Sequence, residues 1–231
     1  MLMEMFVCYH SASPRFQLNG SDGRQTSIKT IFFITSAFVP VVDEKLIVKR
    51  PTQTLKKRKL NGNVLLSTTN TFEGSIWEPG RVEYHATTAM VEGYMKYSLT
   101  LPTAEDQAIV IMGKAIFICP MYCLQAFEGT SYKGEFAISP GSHGEDLAYY
   151  FFSQAPSYNN AAFIVLFSSA FLDTEISLNP NNHTNPTNIT SPWQPWNTVS
   201  GGTEILFNET AAGAPDIRGV GTDAGLLARC A

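Results

Sequence analysis

The stretch Gly141-Ser-His-Gly-Glu-Asp-Leu-Ala-Tyr-Tyr-Phe-Phe152 places one histidine between two glycines and ahead of two carboxylates and an aromatic run. Before it, residues 131–138 alternate apolar and polar side chains, which is the pattern of a β-strand. The Pro140-Gly141 pair then breaks that strand and places His143 on a loop just beyond a strand end. Catalytic side chains concentrate on loops that a rigid sheet holds in place. On this spacing alone, His143 is either such a residue or an ordinary histidine of a surface loop.

The composition predicts a protein with a sizeable core. Of the 231 residues, 44% are hydrophobic and 16% are charged, which suits one large domain or two small ones. The net charge of -4 gives no reason to expect a nucleic-acid or anionic-membrane partner, since both attract basic surfaces. The most apolar stretch, residues 30–42, is too short to span a bilayer, so we expect no transmembrane segment.

Cysteine and histidine residues show no metal-binding spacing. The four cysteines form no C-x-x-C pair, and the four histidines are scattered along the chain. No zinc site is therefore predicted, and we expect no metal and no cofactor.

Sequons for N-glycosylation point to an extracellular ancestry. They lie at Asn19, Asn182, Asn188 and Asn208. The first residues, Met1-Leu-Met-Glu-Met-Phe-Val-Cys8, lack the basic-then-apolar order of a signal peptide. The sequence thus predicts a secreted glycoprotein by ancestry, with no signal peptide in this chain.

A second loop also follows a predicted strand. Asn61-Gly62 marks a turn, and Val64-Leu-Leu66 with the threonines after it favours a short buried strand. The strand ends in Thr71-Phe-Glu-Gly74, which places the Glu73 carboxylate on the loop that comes next. Standing alone, Glu73 would be interpreted as an exposed turn acid.

Helices are predicted in two places. One begins at Thr103 and repeats apolar residues at helical spacing up to Cys119, with a break or kink expected at Pro120. The other spans 160–172 and turns one apolar face towards the core, made of Phe163, Leu166, Phe167, Ala170 and Phe171. Beyond a long irregular connection, residues 204–208 favour a short strand and residues 223–229 a helical turn.

Several short blocks of sequence follow one another in a defined order along the chain. They are Phe38-Val-Pro-Val-Val-Asp43, Asn70-Thr-Phe-Glu-Gly74, Ile118-Cys-Pro120, the stretch 141–151, and the tail segments Trp193-Gln-Pro-Trp196, Ile205-Leu-Phe-Asn208 and Ala228-Arg-Cys230. Together they resemble the C-terminal part of the type-B carboxylesterase/lipase family, the cholinesterase-like α/β-hydrolases. The match is closest to fungal carboxylesterases. Glu44 departs from the family pattern, because glycine is usual there.

The resemblance implies an α/β fold: the C-terminal fragment of an α/β-hydrolase, with the last strands of the central sheet and their packing helices. It covers residues 37–231 as a partial type-B carboxylesterase domain. Residues 1–36 are expected to be poorly ordered or non-homologous.

The resemblance also implies roles for individual residues. His143 would be the general base of a catalytic triad, and Glu73 the acid that orients it. Glu145 and Asp146 lie too close to His143 in sequence to be the family's acid, and we expect them to cap the loop or to be solvated. In the same way the resemblance implies a disulfide between Cys119 and Cys230 and leaves Cys8 and Cys123 as free thiols.

The nucleophile of the triad is missing from this sequence. No G-x-S-x-G pentapeptide occurs, and the nearest string, Gly129-Thr-Ser-Tyr-Lys-Gly134, is one residue too long and precedes the histidine. The glycine-rich oxyanion segment is absent as well. We therefore expect a pseudoenzyme that handles a small-molecule or lipid ester only if the missing half is supplied.

Alternatives remain open at this point. The chain is either a serine-less, cholinesterase-like binding or interaction module, or a truncated gene model of an active secreted esterase or lipase. A third hypothesis is an esterase that acquires its serine from another chain. The strand next to the missing half would leave an exposed sheet edge through which the chain self-associates.

Overall fold

The structure is a computed structural model that describes part of the chain. The described residues are 42–49, 53–54, 57, 62–76, 106, 109–111, 113–122, 127–151, 155–183, 191–197 and 202–230. Several predictions lie outside them: the character of residues 1–36, most of the 38–43 block, the free thiols Cys8 and Cys123, and the sequons Asn19 and Asn188.

Four described strands form one mixed sheet. They are β1 (Val64–Asn70), β2 (Thr130–Phe136), β3 (Thr203–Glu209) and β4 (Pro215–Gly221), in the spatial order β1-β2-β3-β4. The pairs β1–β2 and β2–β3 are parallel, whereas β3 and β4 are antiparallel. Because β1 and β2 are parallel neighbours, the loops that follow them leave the sheet at the same edge.

The described helical segments differ in geometry. A 3-10 turn (Glu73–Ile76) follows β1, and a π-helical segment (Gly113–Ile118) leads into the short helix α1 (Cys119–Met121). Three further helices are α2 (Leu147–Tyr150), α3 (Ala161–Ser177) and α4 (Ala224–Cys230). The expected irregularity at Pro120 takes the form of a change from π to α geometry at the preceding residue, and proline is tolerated there because it lies in the first turn of α1.

Helix α3 confirms the predicted core helix and is longer than predicted. Asn160 caps it, since its side chain accepts a hydrogen bond from the backbone N–H of Phe163 at 3.1 Å. The predicted apolar face is buried at four positions: Phe163, Leu166, Phe167 and Ala170. Phe171 is half-buried and packs against the same core.

Hydrophobic clusters cover both faces of the sheet. The larger one joins α2 and α3 to the sheet and contains Tyr132, Phe136, Ile138, Tyr149, Phe163, Leu166, Phe167, Ala170, Trp193, Ile205 and Phe207. The smaller one contains Tyr122 and Trp196, with Leu65, Ile118, Leu226, Leu227 and Cys230 packed against them. Strand β2 therefore lies in the interior, as in other layered α/β folds.

The turn at residues 42–49 gives a physical account of the unusual Glu44. The Asp43 Oδ1 atom accepts hydrogen bonds from the backbone N–H groups of Lys45, Leu46 and Ile47 at 2.9–3.0 Å. Glu44 within that turn has φ 62°. Glycine adopts this left-handed conformation without steric cost, which explains why glycine suits the position in the resembling motif.

Candidate active site

The Glu73 side chain is fixed at the end of β1. It is 5% exposed, and its Oε1 atom accepts a hydrogen bond from the backbone N–H of Asn70 at 2.8 Å. The Asn70 Nδ2 group donates to the same oxygen at 3.3 Å. Glu73 is therefore not the exposed turn acid that it would be if interpreted in isolation.

The loop that contains His143 lies beside the loop that contains Glu73, at the edge of the sheet where β1 and β2 end. The backbone N–H of Phe72 donates to the carbonyl of Gly141 at 2.8 Å, which joins the two loops. Gly141 and Gly144 flank the histidine with φ values of 64° and 82°, a region that favours glycine. This geometry brings the His143 Nδ1 atom to 2.6 Å from the Glu73 Oε2 atom, across 70 positions of sequence.

The contact defines how the imidazole carries its proton. Because a carboxylate only accepts hydrogen bonds, Nδ1 holds the proton and Nε2 is left as the basic nitrogen of the neutral ring. The hydrogen bond to Glu73 raises the pKa of His143, and partial burial of the ring opposes that increase. The arrangement can take up a proton at Nε2 and stabilise the resulting imidazolium.

Phe117 packs on the imidazole, and this contact was not predicted. The two ring centroids are 4.3 Å apart, with an interplanar angle of 39°. Phe117 belongs to the π-helical segment, whose Gly113 lies against Gly74 so closely that an added Cβ would come within 2.7 Å of the Gly74 backbone nitrogen. The same segment thus contacts both the histidine and the loop of its acid.

An open cavity lies beside the histidine. Its volume is about 260 Å³, and it is lined by His143, Gly144, Glu145, Ala148, Ala155 and Ser157. A half-buried base at the wall of a cavity is a suitable arrangement for proton transfer to a small substrate group.

Asp146 has a partner that the sequence did not indicate. Its side chain is half-buried and makes no capping hydrogen bond to α2, and its Oδ1 atom accepts from the Asn70 Nδ2 group at 2.9 Å. Burial raises the pKa of Asp146, and the hydrogen bond from Asn70 opposes that increase. Glu145 is half-buried in the cavity wall. The sequence gave no signal of this contact because the partner of Asp146 lies at the end of β1, 76 positions away.

The predicted disulfide is confirmed. Cys119 and Cys230 are bonded, with their Cα atoms 4.8 Å apart. The bond joins α1 to α4, so it holds the end of the helical region that contains Phe117. Two sequons are described: Asn182 is exposed after α3, whereas Asn208 is half-buried within β3. Their use stays a prediction.

Metal and membrane features are absent from the described part of the chain. No three histidine, cysteine or acidic residues group there in a way that suits a metal ion. None of the described helices combines the length and apolarity that crossing a lipid bilayer requires.

Comparison with known proteins gives structural relatives only. No family model and no curated protein sequence matches the chain. Solved structures do, among them a carboxylesterase of Geobacillus stearothermophilus at pH 6.2, with a TM-score of 0.64 and 13% identity over 89% of this chain. A PNB esterase matches with a TM-score of 0.62 and 14% identity over 85% of this chain.

The fold is that of esterase α/β-hydrolases. At these identities the likeness concerns the fold, and it corresponds to the C-terminal part of it. The chain covers 47% of the Geobacillus carboxylesterase and 44% of the PNB esterase. It therefore spans less than half the length of the enzymes whose fold it shares.

Proposed function

We propose that Glu73 and His143 are the acid and the general base of a carboxylic ester hydrolase site. The observation that carries this proposal is the 2.6 Å contact between His143 Nδ1 and Glu73 Oε2 on loops that follow two parallel strands. In such a site the imidazole removes the proton of a serine hydroxyl, and the acid stabilises the imidazolium that results. The esterase fold of the chain supports this reaction class over other uses of a histidine–carboxylate pair.

The proposal also covers the family of this chain and the catalytic groups that the chain lacks. We assign the chain to the type-B carboxylesterase family by descent. Its resemblance to the motifs of fungal carboxylesterases supports a closer relationship with those enzymes. The 231-residue sequence contains no G-x-S-x-G nucleophile. The 231-residue chain is therefore a pseudoenzyme, because its acid–base pair needs a serine and an oxyanion hole that another polypeptide segment must supply. An ester substrate, small or lipid, binds only when that part is supplied.

The purified 231-residue chain is expected not to react with a fluorophosphonate probe and not to hydrolyse p-nitrophenyl esters above background. The reason is that both reactions require an activated serine. A carboxylesterase with an intact serine, treated in parallel, serves as the positive control. Covalent labelling of a serine in this chain would contradict the missing nucleophile.

Sequencing of the transcript upstream of the Met1 codon tests the acid–base assignment. An in-frame G-x-S-x-G there would make the longer product an ordinary esterase, and its labelling should then depend on His143. If a His143→Gln variant of that product labels as fast as the parent, the role of His143 as general base is wrong.

Secretion is part of the same proposal. Disulfides form and persist in oxidising compartments, and the Cys119–Cys230 bond supports such a compartment for this chain. Glycosylation at the exposed Asn182 would agree with it. Digestion of the cell-derived protein with an amidase for N-glycans, followed by mass measurement, tests this: an unchanged mass argues against secretion.

A second candidate is an interaction module that self-associates. Exposed apolar side chains surround the site end of the sheet: Phe72 is 60% exposed, Leu147 51% and Phe151 62%. Strand β1 is also the outer strand of the four that the structure describes. These features support a partner surface, because exposed apolar side chains and an outer strand both favour association.

Sedimentation equilibrium is expected to detect association of the chain, and Phe151→Ser should weaken it. Leu172→Ser is the matched control, since Leu172 is 52% exposed on α3. A monomer at every concentration would exclude this second function, as would equal effects of the two substitutions on association.

A further inference from the structure

The most informative unexplained group near the site is the Asp146 carboxylate. It lies directly before α2 without capping that helix, and burial raises its pKa. Placing a carboxylate where it loses hydration is unfavourable unless hydrogen bonds compensate. The contacts of Asp146 therefore indicate what the side chain does there.

Asn70 links Asp146 to the acid of the pair. Its Nδ2 group donates to Asp146 Oδ1 at 2.9 Å and to Glu73 Oε1 at 3.3 Å. Asn70 is 4% exposed and is the last residue of β1, so its backbone is held by the sheet. One side-chain amide thus joins two carboxylates that come from different loops.

The two carboxylates together determine which way the Asn70 amide points. Both neighbouring oxygens accept hydrogen bonds, so only the NH₂ end of the amide can face them. A turned amide would place its oxygen against both carboxylates, so the charge on Asp146 adds to the preference that Glu73 already imposes. Asp146 therefore helps to keep the donor of Asn70 on Glu73 Oε1, which leaves Oε2 for His143 Nδ1.

Asp146 also acts on the imidazole through space. Its negative charge adds to that of Glu73 in raising the pKa of His143. Other described groups near the site are the Phe117 ring on the imidazole, Glu145 in the cavity wall, and Tyr150, which interacts with Asp146. Tyr150 is itself held by Thr68, with 3.2 Å between the two hydroxyl oxygens.

We propose that Asp146 is a positioning residue for the His143–Glu73 pair, acting through the side-chain amide of Asn70. The inference rests on the proposed function of that pair and deepens it, because it adds a second carboxylate that stabilises the imidazolium. A purely structural Asp146 would stabilise the loop without influencing the protonation of His143.

The test is an NMR pH titration of the full 231-residue chain with ¹³C-labelled histidine, in which a His143→Gln variant assigns the resonance. Asp146→Asn, which keeps the shape of the side chain, is expected to lower the pKa of His143 by about 0.5 or more. Glu73→Gln should lower it by about 1 to 3, because that acid bonds the ring directly. Glu145→Gln is the matched control and is expected to leave it within about 0.2.

The outcomes distinguish a failure of the Asp146 inference from a failure of the proposed His143–Glu73 pair. If Glu73→Gln lowers the pKa of His143 and Asp146→Asn does not, Asp146 has no positioning role. If Glu73→Gln itself has no effect, the acid–base pair is wrong.

A second measurement decides the matter if Asp146→Asn does not fold. In the wild-type chain with ¹³C-labelled aspartate, the Asp146 carboxyl resonance should shift at the pH where His143 titrates, because coupled sites sense each other's charge. A flat Asp146 resonance through that range would overturn the inference.

Discussion

Loss of the Cys119–Cys230 disulfide is expected to lower the free energy of unfolding by about 5 kcal/mol. The bond closes a loop with a sequence separation of 111, and a cross-link over that length removes much of the conformational freedom of the unfolded chain. Urea unfolding of the wild type and of Cys230→Ser, each with and without reductant, measures the effect. Cys8→Ser is the control, because Cys8 is predicted to be a free thiol.

The packing around the bond indicates that its loss also destabilises the folded state. Cys230 packs with Leu226 and Leu227 of α4 against the buried Trp196, and Ile118 belongs to the same cluster. Without the bond, α4 keeps the apolar contacts of this cluster but loses its covalent link to α1. If reductant leaves the unfolding midpoint of the wild type unchanged, the disulfide does not stabilise the fold in this way.

The same bond bears on the candidate site. The π-helical segment before Cys119 places Phe117 on the His143 ring and Gly113 against the loop of Glu73. Release of its C-terminal end should therefore increase amide hydrogen exchange in the His143 loop before global unfolding. The stability of the site thus depends on a covalent link outside it.

Much of the fold followed from local sequence patterns, and the exceptions have physical causes. Strands β1, β2 and β3 were predicted because β-favouring residues and turn signals mark them. Strand β4 was missed, because Pro215, Gly219 and Gly221 all weaken strand propensity. It forms because β3 offers a complete antiparallel partner, with seven residues in register after a tight turn.

The C-terminal end of α3 also differs from the prediction. The predicted helix stopped at residue 172, where the apolar repeat meets the charged residue Asp173. In the structure Asp173 is fully buried, its Oδ2 atom lies 3.4 Å from His183 Nδ1, and the helix continues to Ser177. A polar residue with a partner on the loop that follows the helix does not end that helix, and the apolar repeat of the sequence does not show that partner.

The contact between His143 and Glu73 was predictable from the sequence, whereas the contacts that support it were not. His143 and Glu73 were identified from a resemblance in motif and order. Asn70 stood in the same motif, yet its role depends on Asp146, and the role of Phe117 depends on a π-helical geometry. Contacts between segments that are distant in sequence decide these roles, so local spacing alone gives no signal for them.

Lys133 is the residue for which the sequence was most misleading. The alternation of residues 131–138 suggests that Lys133 points to water, but its side chain is completely buried. Strand β2 is covered on both faces, so a polar position on it faces protein. The Nζ atom donates to the Thr69 hydroxyl at 2.8 Å and to the Gly134 carbonyl at 2.6 Å, and it lies 3.5 Å from Glu204 Oε2.

Lys133→Met is expected to lower the free energy of unfolding by about 3–5 kcal/mol. Burial lowers the pKa of Lys133, so the ion pair with Glu204 does not fully compensate for the lost hydration of the ammonium. Removal of the ammonium nevertheless leaves the Glu204 charge buried, with the hydroxyl of Tyr122 donating at 2.8 Å as its remaining described side-chain donor. Breaking one side of a buried pair costs more than the pair itself contributes.

The double variant Lys133→Met/Glu204→Gln separates these two effects. The glutamine oxygen still accepts from Tyr122, and no uncompensated charge remains, so the double variant should recover most of the loss. Arg218→Met is the surface control: Arg218 pairs with Asp216 but is 59% exposed, so its removal should cost less than about 1 kcal/mol. Urea unfolding of the four proteins measures all of these differences. If Lys133→Met costs no more than Arg218→Met, the buried pair does not hold β1, β2 and β3 together beneath the His143–Glu73 site.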